Sequence, residues 1–477
     1  LETLPSASLR DAARELVERY GGILTRHEFP TAFSERRPRW ESARLLQELG
    51  SRGLGTVGHV DLRTRGLGID DDAVLLFHEV VERYVEEWRG RPLAHDSVLS
   101  AHGDLMSDVT AALLQIQESP VRVGKEGSVY KAARARLGDK LVFPPQPLVD
   151  REELAERVVA IVRGLALARE DEGGQLVVTE DGAAWAGRPL IAKVAAAYEW
   201  TQRDGGGTLR SQHLARLHAQ LIRLIVEDAD PSRWWPGSSL AMCARNRYLL
   251  ELAREDAPSV RQPLSVRQGA LTELGLAAQD LVVNELFALG LVDVARYGSE
   301  PAGVRLSNLG RRLLLKRDAR RGGETRALVV NPDFEMLVLP EGDVDDLLHA
   351  LDRIAVRVRS GEVVHYHLDR EKIERASVAG EDPEGLLEFL RRHSRTPVPQ
   401  NVEYSIRSWG GNVRSASLAR GLLFIANDPA VVESIVNHPV LRGSVEKVLG
   451  PTAVFFNEKV LERQVAQELR ALGVYVR

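Results

Sequence analysis

Three times in the first two thirds of this chain, a leucine-bearing helical stretch ends in a glycine–leucine step and runs into short β-prone segments. A recurring unit of this kind constrains the fold strongly, because it implies a tandem of like modules. The third copy is the clearest. Leu281-Val282-Val283-Asn284-Glu285-Leu286-Phe287-Ala288-Leu289 has helical apolar spacing, and Gly290 offers a C-terminal cap. Residues 291–294 and 304–306 read as strands around a turn region holding Gly298, Pro301 and Gly303, and Ser307-Asn308-Leu309-Gly310 closes the unit. In the second copy a helix over 152–162 leads to Gly164-Leu165, a Gly173-Gly174 turn, Leu176-Val177-Val178, and then Thr179-Glu180-Asp181-Gly182, matching the Ser307 step. The first copy, Leu45-Leu46 to Leu49 and then Gly53-Leu54, is fainter. Helix followed by β-hairpin is the order of a winged helix, in which the helix before the hairpin is the recognition helix. The repeat therefore predicts tandem winged-helix-like modules over 1–95, 96–235 and 236–325, with generic α+β packing as the alternative.

From about Arg326 the pattern changes. Residues 327–330 and 334–339 read as strands broken at Asn331-Pro332-Asp333, where Pro332 has no N–H to give a ladder. A strand over 363–368 is followed by Asp369, a cap for a helix from Arg370. A strand over 421–426 precedes a helix capped by Asn427 or Asp428. A strand at 452–456, a helix over 458–472 and a strand at 474–476 finish the chain. This alternation predicts a separate C-terminal α/β domain over 326–477, in an α+β multidomain protein.

At 477 residues the chain is too long for one core. Its 44% hydrophobic and 27% charged residues are an ordinary globular composition. No apolar run approaches the roughly 20 residues needed to cross a bilayer, so no membrane partner is expected. No basic-then-apolar leader is visible, although a start at Leu1 is compatible with trimming. The single cysteine, Cys243, leaves no intrachain disulfide and no cysteine cluster for zinc, which fits a cytoplasmic location. A net charge of −5 weighs against indiscriminate coating of nucleic acid, so charge must be read locally.

The segment Leu328-Val329-Val330-Asn331-Pro332-Asp333-Phe334-Glu335 and the run Phe389-Leu390-Arg391-Arg392-His393-Ser394-Arg395-Thr396-Pro397-Val398-Pro399-Gln400-Asn401-Val402 are distinctive. With His367-Leu368-Asp369-Arg370-Glu371 and the ending Leu469-Arg470-Ala471-Leu472-Gly473-Val474, they make the stretch 326–477 resemble the N-terminal domain of XPB-type DNA helicases. Upstream, Pro120-Val121-Arg122-Val123-Gly124-Lys125 looks like bacterial proteins carrying that domain. The resemblance implies a DNA-handling role, contact with partner proteins and an association with damaged or distorted DNA. These 477 residues depart from the family in lacking its two motor domains. They contain no G-x-x-x-x-G-K-[ST] to cradle phosphates and no DEAH-type acidic box for magnesium. No ATPase activity and no cofactor are expected.

Other motifs fail on context. Gly53-Leu54-Gly55-Thr56-Val57-Gly58 matches G-x-G-x-x-G, but a helix precedes it and an extended segment follows, the reverse of a dinucleotide site. The run from Gly124 to Ala132 suggests a kinase glycine loop, but Arg122 stands where its first glycine belongs, and no D-F-G or H-R-D loop exists. His365 and His367 share one strand face without a third ligand, so a hydrogen-bonded pair is expected and no metal. Asp70-Asp71-Asp72 reads as an exposed helix start before residues 73–88. Trp234-Trp235-Pro236-Gly237 reads as an apolar hinge between modules, with a base-stacking platform as the alternative.

Basic clusters are the best functional candidates. One comprises Arg305, Arg311, Arg312, Lys316, Arg317, Arg320, Arg321 and Arg326, beside the third hairpin, where phosphate contacts belong in a winged helix. A second comprises Arg391, Arg392, Arg395, Arg407, Arg414 and Arg420, and a third Arg122, Lys125, Lys131, Arg134, Arg136 and Lys140. Solvated faces or ion pairs between modules are the alternative reading of each. The expected recognition helices are acidic, with Glu152, Glu153 and Glu156 in one and Asp280 and Glu285 in another, which argues against base reading. The leading expectation is a non-catalytic accessory protein that contacts the backbone of duplex or distorted DNA. Its bound residues would be Arg305, Arg311, Arg312, Lys316, Arg317, Arg320, Arg321, Arg391, Arg392, Arg395, Arg407 and Arg414. Alternatives are an adaptor docking on a separately encoded helicase or nuclease, and an enzyme with an unrecognised site.

Overall fold

The computed structural model describes residues 1–29, 32, 39–119, 121–124, 129–142, 151–171, 173–203, 209–228, 230–254, 259–316, 326–361, 363–378, 380–411, 421–457, 462–471 and 473–475. It is mixed α+β, with five small sheets whose strands all pair antiparallel. Packing divides the chain into two compact units, 1–411 and 412–477. The stretch 326–477 therefore falls in both.

The repeat is present in the first unit with the same strand pairing each time, although among the described residues the first copy has one helix between its short strand and its hairpin where the other two have two. The first copy has helix Ala7–Tyr20, strand Ile23–Thr25, helix Arg39–Ser51 and hairpin Gly55–Asp61/Asp70–Leu76. In the second, helix Asp104–Glu118 and strand Val121–Arg122 precede helices Lys131–Gly138 and Arg151–Gly164 and hairpin Ala168–Glu170/Gln175–Val178. The third has helix Leu209–Glu227, strand Trp235–Pro236, helices Ser239–Leu252 and Ala270–Asp280, and hairpin Val292–Tyr297/Glu300–Leu306. In every copy the short strand pairs with the second strand of the hairpin.

One hydrogen-bond pattern joins the helix to the hairpin in all three. The residue at the step is left-handed (Gly53 φ 62°, Ala166 φ 54°, Gly290 φ 75°), and a leucine follows it. The leucine N–H reaches back five residues, from Leu54 to Leu49, Leu167 to Val162 and Leu291 to Leu286, each at 2.9 Å. The leucine carbonyl then accepts from the residue that opens the next helix: Phe77, Thr179 or Ser307. The second step is thus Ala166-Leu167, two residues beyond the expected Gly164-Leu165. An alanine occupies the left-handed position, while Gly164 is small because a Cβ there would lie 2.1 Å from the Trp200 indole. Thr179 and Ser307 cap their helices by accepting from Gly182 and Gly310. A Cβ on either glycine would sit 2.0 Å from the leucine carbonyl oxygen, which explains the matching spacing of the two closing motifs.

Three sequence readings need correction. Asp70-Asp71-Asp72 opens the strand Asp70–Leu76, not a helix, and the helix begins at His78. His59 and Arg63 pair with these acids from within the hairpin and Arg26 from beyond the short strand on the other side, so the acids are balanced at the start of the central strand of the sheet and complement no helix dipole. Trp235-Pro236 is no hinge, because it forms the short strand of the third copy, so a boundary between 235 and 236 would cut a strand. Strand Ser97–Leu99 crosses over to extend that same third sheet. One continuous apolar core runs from Leu4 to Leu309.

Residues 326–411 add a sheet in the order Leu328–Val330, Glu335–Val338, Val364–Leu368, Ala355–Arg359, with its own core. Helices Asp345–Ile354, Arg370–Val378, Pro383–His393 and Gln400–Gly411 supply much of that core. The expected α/β alternation exists in sequence, but the antiparallel pairing makes this an α+β arrangement.

The second unit has strands Gly421–Ile425, Val445–Gly450 and Ala453–Asn457, ordered first–third–second, with helices Pro429–Val436 and Glu462–Ala471. Asp428 provides the cap, accepting from the Ala430 N–H at 3.0 Å. Residues 474–475 form no strand. Gly473 is left-handed, and the Val474 N–H bonds back to the Leu469 carbonyl at 2.9 Å, which closes the helix. Residues 458–461 and 476 lie outside the described residues.

Candidate nucleic-acid interface

The distinctive C-terminal motifs meet in space. Leu328 bridges to Ser394, and its carbonyl accepts from the Arg395 N–H at 2.8 Å. The Asn401 amide donates to the Pro332 carbonyl at 2.6 Å, and Leu368 N–H donates to the Phe334 carbonyl at 3.0 Å. Phe334 is left-handed (φ 68°) and packs its ring 5.6 Å from Trp409. These residues hold one another, so their spacing encodes the fold of 326–411. His365 bonds to Glu335 at 3.0 Å and His367 packs against Phe334, the structural pair that the sequence suggested. Among the described residues no group of three or more metal-ligating side chains is assembled.

On the outside of this frame lies the second arginine cluster. Arg391, at the end of Pro383–His393, donates to Glu403 at 2.6 and 2.9 Å. Arg407 reaches Glu384 at 2.5 Å and Glu403 at 3.4 Å. Arg392 pairs with Glu388 at 3.4 Å, and Arg395 pairs with Glu341 while donating to the Arg326 carbonyl at 2.6 Å. The Arg407 guanidinium holds Glu384 below the usual carboxylate range. Each of these arginines keeps over a third of its side chain exposed. Exposed pairs of this kind contribute about 0–1 kcal/mol, so they can exchange a glutamate for a phosphate at little cost. Arg414 and Arg420 lie outside the described residues.

The first cluster is more firmly tied. Arg305 pairs with Asp293 at 3.1 Å and stacks 4.5 Å over Trp234. Arg312 is held by Asp346 at 2.8 Å and Asp343 at 3.6 Å, and Arg311 bonds to Asn308. Lys316 is exposed. Arg317, Arg320 and Arg321 lie outside the described residues, as does Lys125 of the third cluster. In that cluster, Arg134 turns toward Glu152 and Glu156.

The helices before the hairpins are partly engaged within the chain. The carbonyl of Asn284, in the π-helical turn Leu281–Leu286, accepts from Arg157 of the Arg151–Gly164 helix at 2.5 Å. Burial raises Glu285 above its ordinary value. Glu152 and Glu153 remain exposed.

Sequence reasoning missed a buried polar junction between the second copy of the repeat and residues 326–411. Arg357 Nη1 pairs with Asp104, and Nη2 with Asp352, both at 2.8 Å. Tyr366 donates to Asp352 at 2.9 Å. Ser107 donates to Asp352 at 2.7 Å and lies 2.9 Å from His349 Nδ1, while His349 Nε2 lies 3.0 Å from the wholly buried Lys193 amine. A neutral His349 protonated on Nδ1 satisfies the chain, donating to Ser107 and accepting from Lys193. Burial pushes His349 down to about 3 and Lys193 down to about 7, and it lifts Asp104 to about 6. Ser107, His349 and Asp352 are triad residue types in the wrong order, since the carboxylate accepts from the serine and does not orient the imidazole. The only hints in sequence are single charges within apolar helical runs, such as Lys193 after Leu190-Ile191-Ala192 and His349 within Leu347-Leu348-His349-Ala350-Leu351.

A family model described as a helicase conserved C-terminal domain matches residues 328–448 and links the protein to the helicases. The match contains the motifs at 328–335 and 389–402, together with Arg391, Arg392, Arg395 and Arg407. No curated protein matches the chain.

Proposed function

We propose that this protein is a non-catalytic accessory of a helicase-linked process such as DNA repair, and that it binds duplex or distorted DNA through backbone contacts. The match of 328–448 to a helicase domain carries this reading. The XPB-type resemblance of 326–477 refines it toward damaged or distorted DNA. The three copies of the repeat share the strand order of winged helices, so winged-helix-like modules are the finer reading of the fold. Arg391, Arg392, Arg395 and Arg407 are the proposed phosphate contacts, because their pairs are exposed and exchangeable. No nucleotide-binding motor motif occurs in these 477 residues, so the proposed role of these residues is DNA contact and not strand separation, with a helicase or nuclease as the proposed partner. A reducing cytoplasm fits the single unpaired Cys243.

A second reading, an adaptor that docks on a helicase or nuclease without touching DNA, is favoured by the exposed Glu152 and Glu153 on one helix that a winged helix would present to a groove. Fluorescence anisotropy with duplex, forked and bubble-containing DNA separates the two. The DNA reading expects binding that is tighter on forked or bubble substrates and falls steeply with salt. No binding at low salt removes that reading and leaves the adaptor.

A further inference from the structure

The third copy of the repeat holds a buried arginine without a counter-ion. Arg245, on the helix Ser239–Leu252, is 1% exposed. Its Nη2 donates to the carbonyls of Tyr20 and Ile23, and Nε and Nη2 both reach the Asn246 amide oxygen. Every one of these acceptors is neutral. Nη1 has no hydrogen-bond partner among the described residues, and no described carboxylate lies within ion-pair distance of the guanidinium. The other buried guanidinium groups are compensated, Arg89 by Asp228 and Arg357 by Asp104 and Asp352. Glu28 acts on Arg245 only through space, because its own oxygens accept from Thr25 at 2.6 Å and Thr272 at 2.8 Å. Burial accordingly pushes Arg245 down to about 10. An uncompensated buried charge is among the costlier things a fold can retain.

Arg245 lines a pocket of about 230 Å³ between the end of the first helix and the helices Ser239–Leu252 and Ala270–Asp280. Gln279 also lines it, and its amide has no hydrogen-bond partner among the described residues. Arg19 lines the pocket with half its side chain exposed. Met242 and Leu276 give it an apolar wall. Ser238 and Thr272 have already spent their protons, on the Glu18 carbonyl and on Glu28, so toward the pocket they can only accept. The remaining donors are therefore the Arg245 guanidinium, the Gln279 amide and those N–H groups of Arg19 that its pair with Glu15, made through Nη1 at 2.8 Å, leaves over.

We propose that this pocket binds a small organic anion, a carboxylate or phosphate with a compact apolar body, whose charge neutralises Arg245. A pocket of this size lies below the about 300–1,000 Å³ of sites for drug-sized ligands, so the ligand has the dimensions of a small metabolite. The site is independent of DNA contact at Arg391–Arg407.

The test is thermal unfolding of the full chain in phosphate-free buffer, titrated with inorganic phosphate or with acetate against chloride of equal ionic strength. Wild type should show a saturable rise in Tm of several degrees with at least one of the two anions, and comparing them identifies which head group the site takes. Arg245→Met should lose the response, although removing its bonds to Tyr20 and Ile23 also weakens the fold. Leu276→Glu is the decisive variant, because it places a carboxylate at the pocket wall without touching Arg245. It should have a higher Tm than wild type without added anion and no anion response. If neither anion raises the wild-type Tm above the chloride control, or if Leu276→Glu responds as wild type does, the site does not exist.

Discussion

The buried junction around Arg357 and the exposed arginine face around Arg391 use the same side chain to opposite ends. Arg357 and its two carboxylates are each at most 5% exposed, with the hydroxyls of Ser107 and Tyr366 completing the set. Arg391, Arg392, Arg395 and Arg407 sit in water, each beside a glutamate that it can release. Desolvation decides the difference. A buried pair is costly to form and costlier to break, whereas a surface pair contributes little either way. The first arrangement fixes one part of the chain against another, and the second leaves charge available to a partner.

The largest expected effect comes from breaking the junction. Arg357→Met strands Asp104 and Asp352 in the interior and should cost about 3–5 kcal/mol in urea denaturation. A loss under about 1 kcal/mol would mean that the junction hydrates freely, and the contrast with the surface would vanish. Next comes Gly310→Ala, which forces a Cβ against the Leu291 carbonyl oxygen. It should destabilise by about 1–3 kcal/mol, and an unchanged denaturation midpoint would contradict the shared cap geometry of the repeats.

A pH effect sharpens the comparison further. Lys193 titrates at about 7 when folded against an ordinary 10.5. Between those values only the unfolded chain takes up the proton, so stability falls as pH drops from about 10.5 to about 7 and this contribution is then constant. Lys193→Met should flatten that slope when denaturation is followed at several pH values; parallel slopes for the two proteins would refute a neutral buried amine. His349, held at about 3, acts with the same sign between 6.5 and about 3, while Asp104, raised from 3.8 to about 6, opposes it over the upper part of that window. The smallest effect is on the surface. Arg391→Gln should change stability by less than about 1 kcal/mol, and a larger loss would show that its pair with Glu403 is structural.

What the sequence made legible follows the range of the interactions. Caps, hairpins and left-handed steps are set within a few residues, so the repeat was readable, and Ala166 slipped past only because alanine holds a position where glycine was expected. The acid run at 70–72 misled because its partners lie elsewhere, His59 on the neighbouring strand, Arg63 in the turn that joins the two strands and Arg26 farther back. Between the repeat and residues 326–411 the junction joins side chains 156 to 253 positions apart, and no local pattern announces it. The pocket at Arg245 is equally non-local, since its wall draws on residues near 20, 240 and 275. The arginine clusters were visible, but their glutamate partners were not, because most lie 12 or more positions away.

The most direct measurement is the salt dependence of DNA affinity for wild type and for the variant with Arg391, Arg392, Arg395 and Arg407 all replaced by Gln, with Tm recorded for both. Each phosphate contact adds about 0.9 to the slope of log K against log salt. The account expects a slope shallower by about 2–4 for the variant at a nearly unchanged Tm. Equal slopes with equal Tm would show that these arginines do not touch DNA.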